Sequence, residues 1–314
     1  MYIPSNEKIQ VDQEATYGEG AAATVQLAGV TCRITPKPDA EQVIDKRGDS
    51  MAAHQAIVTR RWSEIAIDGL LAYEQAHLWY DSLFGLDATD PKAYLADLDH
   101  SVALASLCLY YGQTGLIYKV PGILPYSLNI KGESGKPVTF AYRAFGQAAV
   151  DGASFAALSD PSLTFCMGHH ATVYLDPIAG PIGTTALTDL AFSWDALITG
   201  NYKPVWHLGD LVPDSHRPGK WGGSFLLKVE ADASRLGYLG DILDNTINPE
   251  GYAVRVKLND GTNELTLDFA GQVLVAPELI PEKDGVTTVE FPMVPVYSSD
   301  ATFLSSWGGS INLP

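Results

Sequence analysis

The stretch WSEIAIDGLLAYEQAHLWYDSLFG, residues 62–85, contains a strand, a helix and a stop signal in that order. Ile65 and Ile67 alternate with polar residues, which is typical of a half-buried strand. The residues that follow carry a mixed apolar stripe compatible with a helix, and Gly85 ends it. A similar cassette, WGGSFLLKVEADASRLGYLGDILD, occupies residues 221–244. We therefore expect the same strand–helix unit to occur twice.

The pattern around the two cassettes also recurs. A shift of 160 positions superposes the cassettes, and a long polar loop precedes each one, at residues 36–55 and 201–223. Towards the end of each half, the run that contains Phe140 matches the run that contains Phe291. Internal repetition has to be settled before the fold is assigned. Chance similarity between two β-rich segments is the alternative explanation.

Most of the remaining pattern indicates β-structure. The segment YAVRVKLNDGTNELTLDFAG, residues 252–271, predicts a hairpin because two alternating runs flank an Asp-Gly turn. The last residues are mostly uncharged and include Trp307, so we expect them to dock on a neighbouring subunit. We expect five segments: an N-terminal arm at 1–23, a first module at 24–150, a linker at 151–185, a second module at 186–300 and a C-terminal arm at 301–314.

Size and charge exclude several classes of protein. The 314 residues are 46% hydrophobic, which suffices for a sizeable core. The net charge of −17 argues against a protein that grips nucleic acid through its phosphates. No apolar run approaches the roughly 20 residues of a membrane span, and we expect no secretory signal. Cys32, Cys108 and Cys166 are far apart and are expected to be free thiols in a reducing compartment.

The sequence contains little that indicates catalysis. His169 and His170 are adjacent, so on a strand they would point to opposite faces and make poor joint metal ligands. The KRGDS segment at 46–50 is expected to be a polar turn. Phosphate-loop, dinucleotide and nucleophile-elbow motifs are missing from the sequence. We expect no catalytic site, no cofactor and no metal.

The sequence resembles the major tail tube proteins of long-tailed, siphovirus-like bacteriophages. The resemblance rests on the cassette at 62–85, the polar loop before it, and the C-terminal runs at 190–210, 220–234 and 286–314. It implies two tandem β-sandwich or split-barrel modules, each with a short flanking helix. It also implies that strands join across subunits into a ring-shaped β-barrel.

The resemblance further implies a structural virion protein of the phage tail, assembled in the host cytoplasm. Its rings would stack into a hollow tube through which double-stranded DNA passes without specific binding. The ring would hold six modules, from three chains with pseudo-sixfold symmetry or from six chains. Further partners would be the tape-measure, tail-terminator and distal tail or baseplate proteins.

Two groups of residues are candidates for roles in such a tube. The first would make contacts between rings through the two polar loops: Asp45, Lys46, Arg47, Asp49, Lys203, Asp210, Asp214, Arg217 and Lys220. The second would face an acidic channel that repels DNA phosphates: Glu64, Asp68, Glu230, Asp268 and Glu290.

Two alternatives stay open. Abundant acids and aromatic residues are also what a carbohydrate-binding or glycoside-hydrolysing β-sandwich requires, because carboxylates catalyse hydrolysis and aromatic rings bind sugars. Another ring-forming tail protein, such as a terminator or baseplate component, would share the fold without stacking into a long tube.

Overall fold

The computed structural model describes residues 7–43, 55–86, 92–96, 104–113, 115–187, 191–231, 251–273, 279–283, 286–298 and 305–312. These residues form a mainly β protein with one α-helix, α1 (Tyr73–Phe84). One extended antiparallel sheet contains most of the strands, as the sequence predicts for the class of fold.

In the described part of the chain, eight strands precede residue 150 and ten follow it. The first set is β1 (Lys8–Gln13), β2 (Val25–Gln26), β3 (Val30–Val43), β4 (Gln55–Leu70), β5 (Lys92–Leu95), β6 (Leu107–Gln113), β7 (Leu116–Glu133) and β8 (Thr139–Gly146). The second set is β9 (Ala171–Pro177), β10 (Ala191–Thr199), β11 (Lys203–Val205), β12 (Ser215–Arg217), β13 (Gly222–Glu230), β14 (Tyr252–Asn259), β15 (Glu264–Val273), β16 (Leu279–Lys283), β17 (Val286–Pro295) and β18 (Trp307–Asn312).

The first cassette folds as its sequence predicts. Ile65 and Ile67 of β4 are buried, and α1 follows after a short extended link. Gly85 ends the helix with a φ of 106°, a backbone conformation that residues other than glycine rarely adopt. The helix packs into the core through Trp79, whose ring lies 5.0 Å from that of Tyr142 on β8. The strand and the helix of the cassette therefore share one hydrophobic core.

Eight strands form what we call the wide sheet, in the order β3-β4-β8-β7-β10-β13-β17-β16. Every pair in it is antiparallel. Strand β7 changes partner along its length: up to Ile123 it pairs with β6, and from Leu124 onwards it pairs with β8. Further along, the same part of β7 also pairs with β10.

The pairing pattern recurs between the two halves of the chain. The order β3-β4-β8-β7 is repeated as β10-β13-β17-β16, with the strands used in the same chain order. The remaining strands show the same correspondence. In the first half β6 lies between β1 and β7, and in the second half β14 lies between β9 and β15. The recurrence in sequence is thus accompanied by a recurrence in strand pairing.

The register of the two halves corrects one detail of the sequence comparison. Ile67 lies opposite Tyr142, and its counterpart Leu227 lies opposite Phe291. Tyr142 is therefore the counterpart of Phe291, and the earlier match of Phe140 with Phe291 is displaced by two residues. A displacement of two keeps every side chain on the same face, so the hydrophobic pattern alone could not reveal it.

The wide sheet has two outer edges. Among the residues that the structure describes, β3 pairs only with β4 and β16 pairs only with β17. The sheet therefore does not close on itself within the described part of one chain. The two halves meet in the middle of the sheet, where β7 of the first half pairs with β10 of the second half.

The segment at 36–55 was expected to be a long loop or the tip of a hairpin, and its described residues belong to the two strands of a hairpin. Strand β3 continues to Val43 and pairs with the start of β4, with Pro36 opposite Ser63 and Pro38 opposite Arg61. The segment is polar and has no sustained period, yet β3 runs through its two prolines, because proline is tolerated on an edge strand, one side of which needs no partner.

The arm and linker segments contain paired strands. Strand β1 lies within the expected N-terminal arm and pairs with β6, burying Val11. Strand β9 lies within the expected linker and pairs with β14. The helix expected around 233–245 lies outside the described residues.

The described part of the C-terminal segment packs against its own chain. Strand β18 inserts between β15 and β5. Trp307 is fully buried, its ring lies 4.5 Å from Phe269, and its Nε1 donates a hydrogen bond to the Gly222 carbonyl at 3.0 Å. An aromatic residue near a chain end did not reveal which surface it covers.

This packing gives a stability prediction. Replacing Trp307 by Ala should lower the free energy of unfolding by about 3–5 kcal/mol, because a buried aromatic side chain and its cavity are involved. The exposed Leu208→Ala control should change stability by less than about 0.5 kcal/mol. Urea unfolding of the monomeric chain measures both. Equal midpoints for Trp307→Ala and the parent chain would contradict the intrachain docking.

Candidate functional site

The wide sheet has two chemically different faces. On one face, which we call the core face, residues such as Ile65, Phe225 and Leu227 are buried against α1 and the remaining strands. The alternate residues of the same strands lie on the other face, which we call the open face, where Glu64 and Asp68 are partly exposed. The alternation follows from the two-residue period of a strand.

Four of the five acids predicted to line a channel share the open face. Glu64 and Asp68 belong to β4, and Glu230 and Glu290 lie on β13 and β17. Asp268 is elsewhere: it lies on β15, opposite Gly308 of β18, and only 6% of it is exposed. The structure therefore brings four of these residues onto one surface and separates the fifth.

Asp268 is bound in an ion pair inside the protein. Its two carboxylate oxygens accept hydrogen bonds from Nε and Nη2 of Arg255, both at 2.7 Å. These hydrogen bonds raise the pKa of Arg255. Their effect is larger than that of burial, which lowers the pKa. Such a two-point contact fixes the geometry of both side chains. Asp268 therefore serves the packing of β14 against β15.

Four acids of the open face are paired with bases on neighbouring strands, and the sequence pattern did not indicate these bases. The bridges form an ion-pair ladder across the sheet, with N–O distances between 2.7 and 3.0 Å. They join Lys37 to Glu64, Arg143 to Asp68, Lys131 to Asp195, and Lys228 to Glu290.

The open face is close to electrically balanced. By strand parity its acids between β3 and β17 are Asp39, Glu64, Asp68, Glu133, Asp195, Glu230 and Glu290, and its bases are Arg33, Lys37, Arg60, Lys131, Arg143 and Lys228. The chain's charge of −17 is therefore not concentrated on this face. Most of the acids on this face are therefore paired with bases.

A second candidate surface is the connection between β10 and β13, residues 200–221, which we call the tip loop. It contains the small hairpin of β11 and β12, in which Lys203 lies opposite Arg217. All five residues predicted here for inter-ring contacts are exposed: Lys203, Asp210, Asp214, Arg217 and Lys220. The corresponding candidates of the first loop, Asp45, Lys46, Arg47 and Asp49, lie outside the described residues.

The tip loop is anchored on the first half of the chain. The Arg61 N–H donates to the Leu211 carbonyl at 2.7 Å, and Nε2 of Gln147 donates to the Pro213 carbonyl at 2.9 Å. Trp206 packs edge-on against Trp62, with ring centres 6.5 Å apart. The loop is thus an ordered projection from the end of the wide sheet where β4 begins.

The tip loop exposes two leucines. Leu208 is fully exposed, and Leu211 is 42% exposed. Beside them, Nδ1 of His207 lies 2.6 Å from a carboxylate oxygen of Asp214, and this hydrogen bond lowers the pKa of Asp214. The pair braces the two sides of the tip. Asp210 lies close to the same pair.

The described cavities give little support to hydrolytic chemistry. A cavity of about 540 Å³ is lined in part by Glu133, and one of about 610 Å³ by Asp68. Each lining contains a single carboxylate, and each of these is already bound by a base, Lys136 or Arg143. A glycosidase of the usual kind needs two carboxylates at a fixed separation.

Comparison with known proteins adds no family: the chain matches no protein-family model, and a search of curated proteins finds no match. None of the described helices has the length and apolar character that crossing a bilayer requires.

Proposed function

We propose that the chain is the building block of a hollow tube of stacked rings, and that this tube is the tail tube of a long-tailed bacteriophage. The observation that carries the proposal is the recurrence of strand order in the two halves. In the repeated order, β16 is the counterpart of β7 and β3 is the counterpart of β10. Because β7 pairs with β10 inside the chain, β16 of one copy can pair with β3 of another in the same way. Copies that repeat this pairing extend the sheet from chain to chain.

The stagger of the strands supports closure into a barrel. Following paired residues from Ile67 across β8, β7 and β10 leads to Gly223 on β13, whereas the counterpart of Ile67 is Leu227. The register thus advances by four residues over four strands. An eight-stranded barrel with the same ratio, a shear of eight, has strands tilted by about 36°. That value lies in the range of closed barrels, about 35–45°.

The size of the barrel follows from the number of modules. Six modules of four strands each, as the resemblance to tail tube proteins implies, make a barrel of three chains. With strands about 4.8 Å apart and tilted by about 36°, its backbone diameter is about 45 Å. Such a bore accommodates a DNA duplex. The open face of the wide sheet would line it, and the core face would pack outward against α1.

The ion-pair ladder suits passage of DNA. Each of four bases on the open face is held by an acid within 3.0 Å, so those cations are not free to bind phosphate. Protein–DNA affinity without sequence specificity comes almost entirely from such cations. A lining of paired charges lets DNA slide without strong attraction.

Electron microscopy of the purified chain tests the proposal. Negative staining should show rings with a central hole, or tubes made of stacked rings, at high protein concentration. Closed rings that never stack would favour a terminator or baseplate component. A chain that stays monomeric, or that binds or cleaves polysaccharide, would contradict the tube.

The tip loop predicts a variant that separates ring formation from stacking. Leu208→Ser together with Leu211→Ser should leave rings intact and prevent tubes, because both leucines project from the end of the sheet where the next ring would sit. Leu116→Ser, an exposed leucine at the β6–β7 turn, is the matched control and should polymerise normally. Tubes of normal length from the double variant would refute this role of the tip.

The ladder predicts a gain of DNA binding. Glu64→Gln with Asp68→Asn releases Lys37 and Arg143, so assembled tubes should bind duplex DNA at low ionic strength and release it as salt rises. Glu19→Gln with Asp151→Asn makes the same change in net charge away from the open face. Gel-shift titrations of both variants measure the effect. Equal binding by the control would assign the effect to total charge.

A further inference from the structure

The β7–β10 junction inside the chain provides a template for the contact between copies. We propose that β3 of one copy pairs antiparallel with β16 of the next, with Ile34 directly opposite Leu279. This inference rests on the proposed function and specifies the partner, the strands and the register of its ring contact. We call this contact the seam.

The position on β3 follows from two observed pairings. Ile34 lies opposite Ile65 on β4, and Ala196 lies opposite Phe225 on β13. Ile65 and Phe225 are counterparts, so Ala196 of β10 is the counterpart of Ile34 of β3.

The position on β16 follows in the same way. Ile130 of β7 lies opposite Phe140, and Leu279 of β16 lies opposite Val289. The corrected register makes Phe140 and Val289 counterparts, so Leu279 occupies the place of Ile130. Inside the chain, Ala196 lies opposite Ile130. Carrying that pair over to the two outer edges gives Ile34 opposite Leu279.

The edge strands are built to pair over a short stretch only. The carried-over register extends from Thr31 to Ile34, where β16 overlaps β3, and β3 has prolines just beyond it at Pro36 and Pro38. Proline removes a backbone donor and discourages pairing of an edge strand. The seam therefore uses the part of β3 that has no proline, whereas β16 brings Pro281 into it, opposite Cys32.

The ladder on the open face also stops at this edge. Four of its bases are bound to acids, whereas Arg33 on β3 forms no ion pair with any described residue. At the internal junction the equivalent position is Asp195, which is bridged to Lys131 across the two strands. The carried-over register brings Arg33 to the middle of the seam, opposite Ile280. Charge pairing therefore distinguishes the internal junction from the seam.

Disulfide cross-linking tests the register. Ile34→Cys and Leu279→Cys are combined in a Cys32→Ser background, and assembled material is oxidised and run on a denaturing gel. Directly opposed residues of antiparallel strands have Cα atoms about 4.5–5.5 Å apart, which suits a disulfide. We expect a ladder of cross-linked chains that stops at the number of copies in a ring.

The matched control combines Ile34→Cys with Ile280→Cys. Neighbouring residues on a strand point to opposite faces, so this pair should cross-link far less. Assembled rings that cross-link only in the control, or in neither variant, would overturn the seam while leaving the tube proposal in place. A chain that forms no rings under any condition tested would overturn both.

Discussion

The backbone edges of β3 and β16 are the constraint on which the rest of the structure depends. Each edge presents a row of N–H and C=O groups that need partners, and exposed edges lead to uncontrolled association. Soluble proteins usually cover or interrupt such edges. Here the interruption is partial: Pro36 and Pro38 limit pairing along β3, but its first residues stay competent to pair. Another copy of the same sheet can provide hydrogen-bond partners for the backbone groups of both edges.

Duplication explains how one chain acquired both edges. Each half has the same strand order, and the β7–β10 contact fuses two of them with a defined register. A contact inside one chain needs no encounter between molecules and costs less entropy than the same contact between two chains. A ring of six modules made from three chains therefore has three seams to form from solution, half the number that single modules would require.

The sequence predicted those features that depend on local pattern. Alternation identified β4, β10, β13 and the β14–β15 hairpin, and Gly85 marked the end of α1. It failed where long-range pairing decides the structure. Strand β3 continues through two prolines because it is an edge strand. Strand β18 packs on its own chain because it pairs with β15 and because Trp307 donates a hydrogen bond to the Gly222 carbonyl. Neither fact has a signature within a few residues of sequence.

The candidate site shows the same division. Strand parity sufficed to place Glu64, Asp68, Glu230 and Glu290 on one face, because β4, β13 and β17 each have one buried side. The same rule misplaced Asp268, since β15 is covered on both sides and Arg255 binds the carboxylate there. The ion-pair ladder was out of reach because its partners come from strands far apart in sequence. Net charge describes the whole surface, whereas the face of a sheet is set by register, and here register turns an acidic chain into a nearly neutral face.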